Sequence, residues 1–310
     1  FQDLGVRKGV TVGLFLPNSP TFVVAYYAVL KAGGTVVNFN PLYSIEELEH
    51  QARDSGTEIM VTLNLKALFA KVETLIEKGV LRKAVVASFT SLLPAVKAAM
   101  FKLTRGQEIA NVAASPVAGK VIDQRTLMTN DGRPDRIAID PLRDIAVLQY
   151  TGGTTGTPKG AMLTHANLSI NVEQVAAWCR ALDGGVADGG ERMMGILPFF
   201  HVFAMTVVMN FGISRGGELI LMPKFEIGEA LKLIHQMQPT ILPGVPTLFN
   251  AMLNHKKTKQ YNLASVKFCL SGGAALPLEV KRGFEALTGA KLVEGYGLSE
   301  TSPVATVTPI

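Results

Sequence analysis

A chain of 310 residues that is 48% hydrophobic and only 18% charged can bury large sheets, which excludes an intrinsically disordered polymer. No apolar run reaches the eighteen or so residues of a membrane-spanning helix. The net charge of +5 is spread along the chain rather than gathered in an arginine-rich block. That balance favours anionic small molecules or a lipid surface and argues against nucleic acid.

Thr11 to Leu14 lie within an apolar run, 10–16, expected to be a buried strand. Asn18-Ser19-Pro20 then offers an N-cap and a first-turn proline for a helix running to about Lys31. Gly33-Gly34 ends that helix, and Thr35–Asn38 reads as the next strand. Ser44-Ile45-Glu46-Glu47 is a capping box opening a helix to about Asp54. Strand 58–63, helix 66–78 and strand 84–87 continue an alternation that predicts a parallel sheet flanked by helices.

Between Ser88 and Asp140 the alternation fails. Leu92, Leu93, Val96, Met100 and Leu103 fall on one side of a helical wheel, accompanied by Lys97, Lys102 and Arg105. Such a segment suits peripheral contact with an anionic membrane face. The simpler expectation is a helix packed on its own domain.

The stretch from Tyr150 to Gly160 (YTGGTTGTPKG) follows the apolar run 145–148 and carries four threonines, four glycines and Lys159. Glycines allow backbone N–H groups close to an anion, threonine hydroxyls add neutral donors, and lysine supplies a point charge. This is phosphate-handling composition. It is not a Walker loop, because Thr157-Pro158 separate Gly156 from Lys159.

Thr164 is placed to cap a helix bearing Leu168, Val172, Val175, Cys179 and Leu182 at helical spacing, which makes His165 a first-turn structural residue. The glycine-rich break at 183–190 marks a subdomain boundary, giving subdomains 1–185 and 186–310. A second α/β series follows, with strands near 193–197, 218–222, 240–242, 266–270 and 291–293. Helices are expected after Phe203 and near 227–238, 247–253 and 277–287. Cys179 and Cys269 sit in separate apolar stretches without metal-ligand spacing, so both are expected as buried thiols in a reducing compartment.

Three later motifs join the central loop: Pro198-Phe199-Phe200-His201-Val202-Phe203, Ser271-Gly272-Gly273-Ala274-Ala275-Leu276-Pro277, and Glu294-Gly295-Tyr296-Gly297-Leu298-Ser299-Glu300-Thr301. Together with Thr151–His165 they resemble the signature of the adenylate-forming superfamily, which includes acyl-CoA synthetases, luciferases and peptide-synthetase adenylation domains. Nearly the whole chain is similar to bacterial long-chain fatty-acid–CoA ligases. The resemblance implies the large N-terminal α/β domain of that fold, ATP and Mg²⁺ as requirements, and fatty acid and CoA as the other substrates.

By resemblance, Thr151, Thr154, Thr155 and Lys159 contact phosphates, with Gly152, Gly153, Gly156 and Thr157 shaping the loop. His201 lies beside the acyl carboxylate or gates its tunnel. Gly272, Gly273 and Ala274 flank adenosine and the acyl group. In the last motif, which begins with Glu294 and Gly295, Tyr296 stacks on adenine, Gly297 turns the chain, Ser299 contacts the α-phosphate and Glu300 binds Mg²⁺. Ser299 replaces the commoner threonine, keeping the donor and losing a methyl. The catalytic assignments are Lys159, His201 and Glu300, with the nucleotide between the 151–160 loop and the 296–300 turn.

The family continues into a ribose-binding aspartate, a hinge and a small C-terminal domain with a catalytic lysine. None follows Ile310, so the resemblance implies the core of a larger cytoplasmic ligase, inactive or nearly so by itself. A carrier-protein thiol as acceptor, an aromatic or short acid, and a non-catalytic nucleotide- or acyl-binding module are the alternatives. Membrane contact at the inner face and homo-oligomerisation stay open.

Overall fold

Ser19 and Pro20 start the first long helix through two different restrictions. The Ser19 hydroxyl accepts from the Phe22 N–H at 3.3 Å, and Pro20 occupies the first helical position, where no intrahelical donor is needed. The helix Pro20–Lys31 then buries Phe22, Ala25, Tyr26 and Val29. Ser44 and Glu47 complete the expected capping box: Ser44 Oγ accepts from Glu47 N at 3.2 Å, and Glu47 accepts from Ser44 N at 2.8 Å. These local signals set the pace of the alternation.

The computed structural model describes residues 1–151, 158–180 and 189–309. Two units result, Phe1–His165 and Ala166–Ile310. In the first, the strands are β1 (Thr11–Leu14), β2 (Thr35–Asn38), β3 (Ile59–Leu63), β4 (Lys83–Ala87), β5 (Val121–Asp123), β6 (Ile145–Thr151) and β7 (Lys159–Thr164). They form one sheet in the order β5-β4-β3-β1-β2-β6-β7, parallel except for β7. Every residue of β2 and β3 is buried, as both-sided coverage by helices requires.

The second unit holds β8 (Arg192–Gly195), β9 (Glu218–Leu221), β10 (Ile241–Gly244), β11 (Phe268–Ser271), β12 (Lys291–Gly297) and β13 (Val304–Val307). Its sheet runs β13-β12-β11-β10-β8-β9, parallel except for β13. Helices Ile227–Met237, Pro246–Asn254 and Leu278–Thr288 contribute Leu231, Ile234, Phe249, Met252 and Phe284 to one core with Met194, Leu242, Cys269 and Leu292. Phe249 meets Phe284 edge to face at 4.9 Å. Cys179 and Cys269 are free and buried, and burial pushes both thiols up, Cys179 to about 11.

The two antiparallel strands, β7 and β13, are not visible in the hydrophobic alternation. β7 is a glycine- and alanine-containing edge strand, and β13 is half exposed, so neither shows the apolar run of a central strand. A boundary at 185/186 was expected from the glycine-rich break, and residues 181–188 lie outside the described residues. The contacts instead group the helix His165–Cys179, from Ala166 onward, with the second unit. A specific tie does this: Asn171 exchanges two hydrogen bonds with Val304.

Segment 88–140 is built from short turns around β5 and two helices, Ala95–Arg105 and the short Gln124–Met128. The first of these buries none of its residues completely, and it rests on its own domain with the stripe Val96, Met100 and Leu103 turned outward. Phe101 is the side chain turned inward, edge to face with Phe89 at 4.9 Å. Leu92 belongs to the preceding turn, Phe89–Leu92, rather than to the helix.

Candidate functional site

In the second unit, three of the sequence motifs meet at one cavity of about 290 Å³. The turn after β11 delivers Gly272 and Gly273, the end of β12 and the turn that follows deliver Tyr296 to Ser299, and the segment after β8 delivers His201 and Phe203. Leu197, Val202, Val245, Leu270 and Val304 make the walls mostly apolar, with polar groups at a few points. That is the composition common to small-molecule pockets.

The glycines are needed for close approach. A Cβ on Gly297 would stand 1.9 Å from the Pro303 carbonyl oxygen, a collision with backbone that no rotamer relieves. Its absence lets Leu298 N donate to Pro303 O at 3.2 Å and close the β12–β13 turn. Gly273 adopts φ +79°, which favours glycine directly after β11. Gly272 lies under the Phe203 ring, whose edge would be 3.0 Å from any added Cβ.

Glu294 is turned toward the neighbouring loop. Its carboxylate accepts from Leu276 N at 3.1 Å, and its carbonyl accepts from Thr308 N at 2.8 Å. It thereby ties the 271–277 turn to β12, and Ala274 stands exposed in that turn. Gly295 and Tyr296 pair with Val307 and Thr306 of β13, and the register shifts between Tyr296 and Gly297. This shift leaves the Tyr296 ring on the surface at 63% exposure beside the cavity. Ser299 lines the cavity, and Glu300 follows it in the exposed part of the turn Ser299–Thr301.

His201 keeps an accessible edge on the cavity, with Phe200 beside it at 4.5 Å between ring centroids. Protein crowded around the rest of the ring lowers its pKa from the ordinary histidine value of 6.5, favouring the neutral imidazole. The chain then enters a π-helical turn, Met205–Asn210. From it, buried Thr206 donates to the Ser302 carbonyl at 3.0 Å.

Asn171 holds the same turn from another direction. Its Nδ2 donates to Val304 O at 2.8 Å and its Oδ1 accepts from Val304 N at 3.1 Å. Asn171 and Thr206 are positioning residues that the motifs did not reveal. The available signal was one polar residue inside an otherwise apolar helical period, at 171 among Leu168, Val172 and Val175, and at 206 in the run 202–209.

A second cavity of about 290 Å³ shares Leu270 and Val304 with the first. Val175, Trp178, Cys179 and Phe268 make it apolar. Trp178 packs on Phe268 with centroids 5.5 Å apart.

In the first unit, the threonine- and glycine-rich motif joins β6 to β7. Thr151 ends β6, Lys159 begins β7, and the two residues pair across the ladder, with Thr151 Oγ1 donating to Lys159 O at 3.4 Å. Lys159 is exposed. Gly152, Gly153, Thr154, Thr155, Gly156 and Thr157 lie outside the described residues. At the root of the hairpin, Tyr150 pairs with Gly160 and lays its ring 3.0 Å from where a Cβ would stand there. The Tyr150 hydroxyl donates to Asp54, and burial, then this carboxylate, raises its pKa. It is a fixed donor bracing the strand that leads into the motif.

Among the described residues, no three or more His, Cys, Asp or Glu side chains gather as a metal site. The sequence pattern of the AMP-binding enzyme family matches residues 1–310. The chain belongs to the AMP-binding enzyme family. The chain is 46% identical over 310 residues to the long-chain-fatty-acid–CoA ligase of Bacillus subtilis strain 168, a match covering 98% of this chain and 53% of that relative. It spans about half the length of the curated relatives it matches.

Two solved structures share its fold. A long-chain-fatty-acid–CoA ligase from Archaeoglobus fulgidus superposes with a TM-score of 0.77 at 24% identity, over 99% of this chain and 56% of that one. An anthranilate CoA ligase in complex with anthranoyl-AMP superposes with a TM-score of 0.82 at 22% identity, over 99% and 54%. At these identities the likeness concerns the fold, two mostly parallel sheets flanked by helices.

Proposed function

We propose that this chain binds ATP and a long-chain fatty acid and serves the formation of an acyl-adenylate, from which CoA takes the acyl group as a thioester. The observation that carries the reading is the meeting of His201, Gly272, Gly273 and the Tyr296–Ser299 turn at one mostly apolar cavity. A carboxylate with an apolar tail matches such a pocket, and a nucleotide matches its exposed aromatic and hydroxyl rim.

In the first step a carboxylate oxygen bonds to the α-phosphorus of ATP while the bond to the bridging oxygen breaks and pyrophosphate leaves. The second step joins the CoA sulfur to the acyl carbon, releases AMP with the bonding pair, and gives the thiol proton to solvent. Both steps depend on alignment and on neutralising crowded negative charge. Lys159, with Thr151 and the loop residues Gly152 to Thr157, would hold the outer phosphates and favour pyrophosphate departure. Tyr296 would stack on adenine, Ser299 would donate to the α-phosphate, and neutral His201 would orient the carboxylate without adding charge.

Mg²⁺ fits the donors present. Glu300 is an exposed carboxylate that has no ionic partner among the described residues, and Mg²⁺ commonly takes one or two carboxylates with phosphate and water oxygens. When bound, it would offset charge on the triphosphate.

The test is calorimetric titration with two non-hydrolysable acyl-adenylate analogues, one palmitoyl and one benzoyl. Tighter binding of the palmitoyl compound is expected. Binding of neither refutes the acyl-adenylate reading, and preference for the benzoyl compound replaces the fatty acid with an aromatic acid.

A further inference from the structure

Helix Ala95–Arg105 has an inner and an outer side that differ in an unusual sense. Phe101 and Ala98 face the protein, and the opposite side carries Val96, Met100 and Leu103 at 72%, 61% and 87% exposure. At about 100° per residue, these three fall within an arc of about 60°. The most exposed face of the helix is therefore its most apolar one.

The charges are arranged around that face. Lys97 and Lys102 stand on opposite flanks of it, about 90° and about 130° from its centre. Both are exposed, and neither has an ionic partner among the described residues. Arg105 is committed elsewhere, to Glu108 at 2.7 Å and to the Phe101 ring at 5.4 Å. No acidic residue occurs between 95 and 105.

We propose that this helix docks the protein on an anionic phospholipid surface, lying in the interface with Val96, Met100 and Leu103 among the acyl chains and the two lysines reaching headgroup phosphates. An aqueous surface leaves the three apolar side chains hydrated, whereas the membrane interface removes them from water while the flexible lysine stems keep the ammonium groups at the polar level. An exposed lysine on each flank and no acidic residue on the helix favour a lipid surface over a protein groove, since an extended anionic surface meets both flanks at once. This inference does not depend on the acyl-adenylate reading, because none of these residues lines the cavities described above.

Flotation of the 310-residue chain with phosphatidylcholine vesicles, with and without 30% phosphatidylglycerol, tests the proposal. The unaltered chain should float with the anionic vesicles and not with the neutral ones. Lys97→Glu/Lys102→Glu should weaken partitioning at least tenfold, and Val96→Ser/Met100→Ser/Leu103→Ser should abolish it. These positions are exposed, so thermal unfolding followed by circular dichroism should stay unchanged in both variants. Cys179 and Cys269 are buried, so Met100→Cys can be labelled selectively with an environment-sensitive dye, whose emission should shift to the blue on anionic vesicles. Failure of the unaltered chain to float, equal flotation of either variant, or a dye that reports water while the chain is bound would each overturn the proposal. So would self-association of the unaltered chain that the serine variant dissolves, since a second copy would then cover the stripe.

Discussion

Replacing Asn171 isolates the device that holds the floor of the cavity. Asn171→Leu keeps similar volume and removes both bonds to Val304, at 2.8 and 3.1 Å, from a side chain only 3% exposed. Two neutral hydrogen bonds contribute about 1 kcal/mol each, and stranding part of the Val304 peptide adds to that, so a loss of about 2–4 kcal/mol is expected. Trp178 is the only tryptophan and lies in the same unit, against Phe268, so its fluorescence in a urea titration reports the unfolding of that unit.

Asn171→Asp sharpens the test. The carboxylate still accepts from Val304 N–H, but it faces the Val304 carbonyl oxygen without a donor, which raises its pKa in the folded state. A raised folded pKa means that stability is recovered as pH falls through that value, as the acid protonates and donates. The difference between the Asp and Leu variants should therefore narrow from pH 7 toward acid. Affinity for a palmitoyl-adenylate analogue should fall at least about tenfold in both, because displacement of Val304 disturbs the aligned site. A loss of less than about 0.5 kcal/mol with unchanged analogue affinity would refute the role given to Asn171.

Gly297→Ala should destabilise the second unit by about 2–4 kcal/mol, since the new methyl meets the Pro303 carbonyl and the Leu298 N–H bond must open; an unchanged urea midpoint would contradict this. Val304→Phe should weaken binding of long-chain analogues at least tenfold and leave short-chain ones within twofold, because Val304 borders both cavities; equal losses would show that the second cavity takes no part. Lys159→Gln should weaken ATP binding about tenfold while AMP binding changes little, a difference that equilibrium dialysis can measure. Titration of His201 by NMR should give a midpoint below 6.5. Because folding depresses that value, its stabilising contribution is present above pH 6.5 and lost as pH falls through the folded midpoint, an acid sensitivity that His201→Asn should reduce.

Local chemistry made much of this molecule legible. Ser19-Pro20 and Ser44–Glu47 fix helix starts through bonds to neighbours a few residues away, so their meaning is contained in the sequence. The apolar runs at 36–37 and 59–61 likewise announce central parallel strands. The motifs around His201, Gly272 and Tyr296 could be named because each is contiguous.

Their assembly could not be read the same way. Asn171 pairs with Val304 and Thr206 with Ser302, contacts between residues far apart in the chain that periodicity does not encode. β13 is decided by its pairing with β12, and the β12–β13 turn by the space that Gly297 leaves for a carbonyl. Helix Ala95–Arg105 shows the same division from the opposite side. Its amphipathic pattern is fixed by the order of residues, but a wheel cannot say which face meets protein, and only the packing of Phe101 on Phe89 turned the apolar stripe outward. The sequence by itself determined most of the helices and parallel strands and the chemical types at the site; tertiary packing decided the antiparallel edge strands, which of those groups share a cavity and which apolar face stays in water, because these depend on partners distant in the chain.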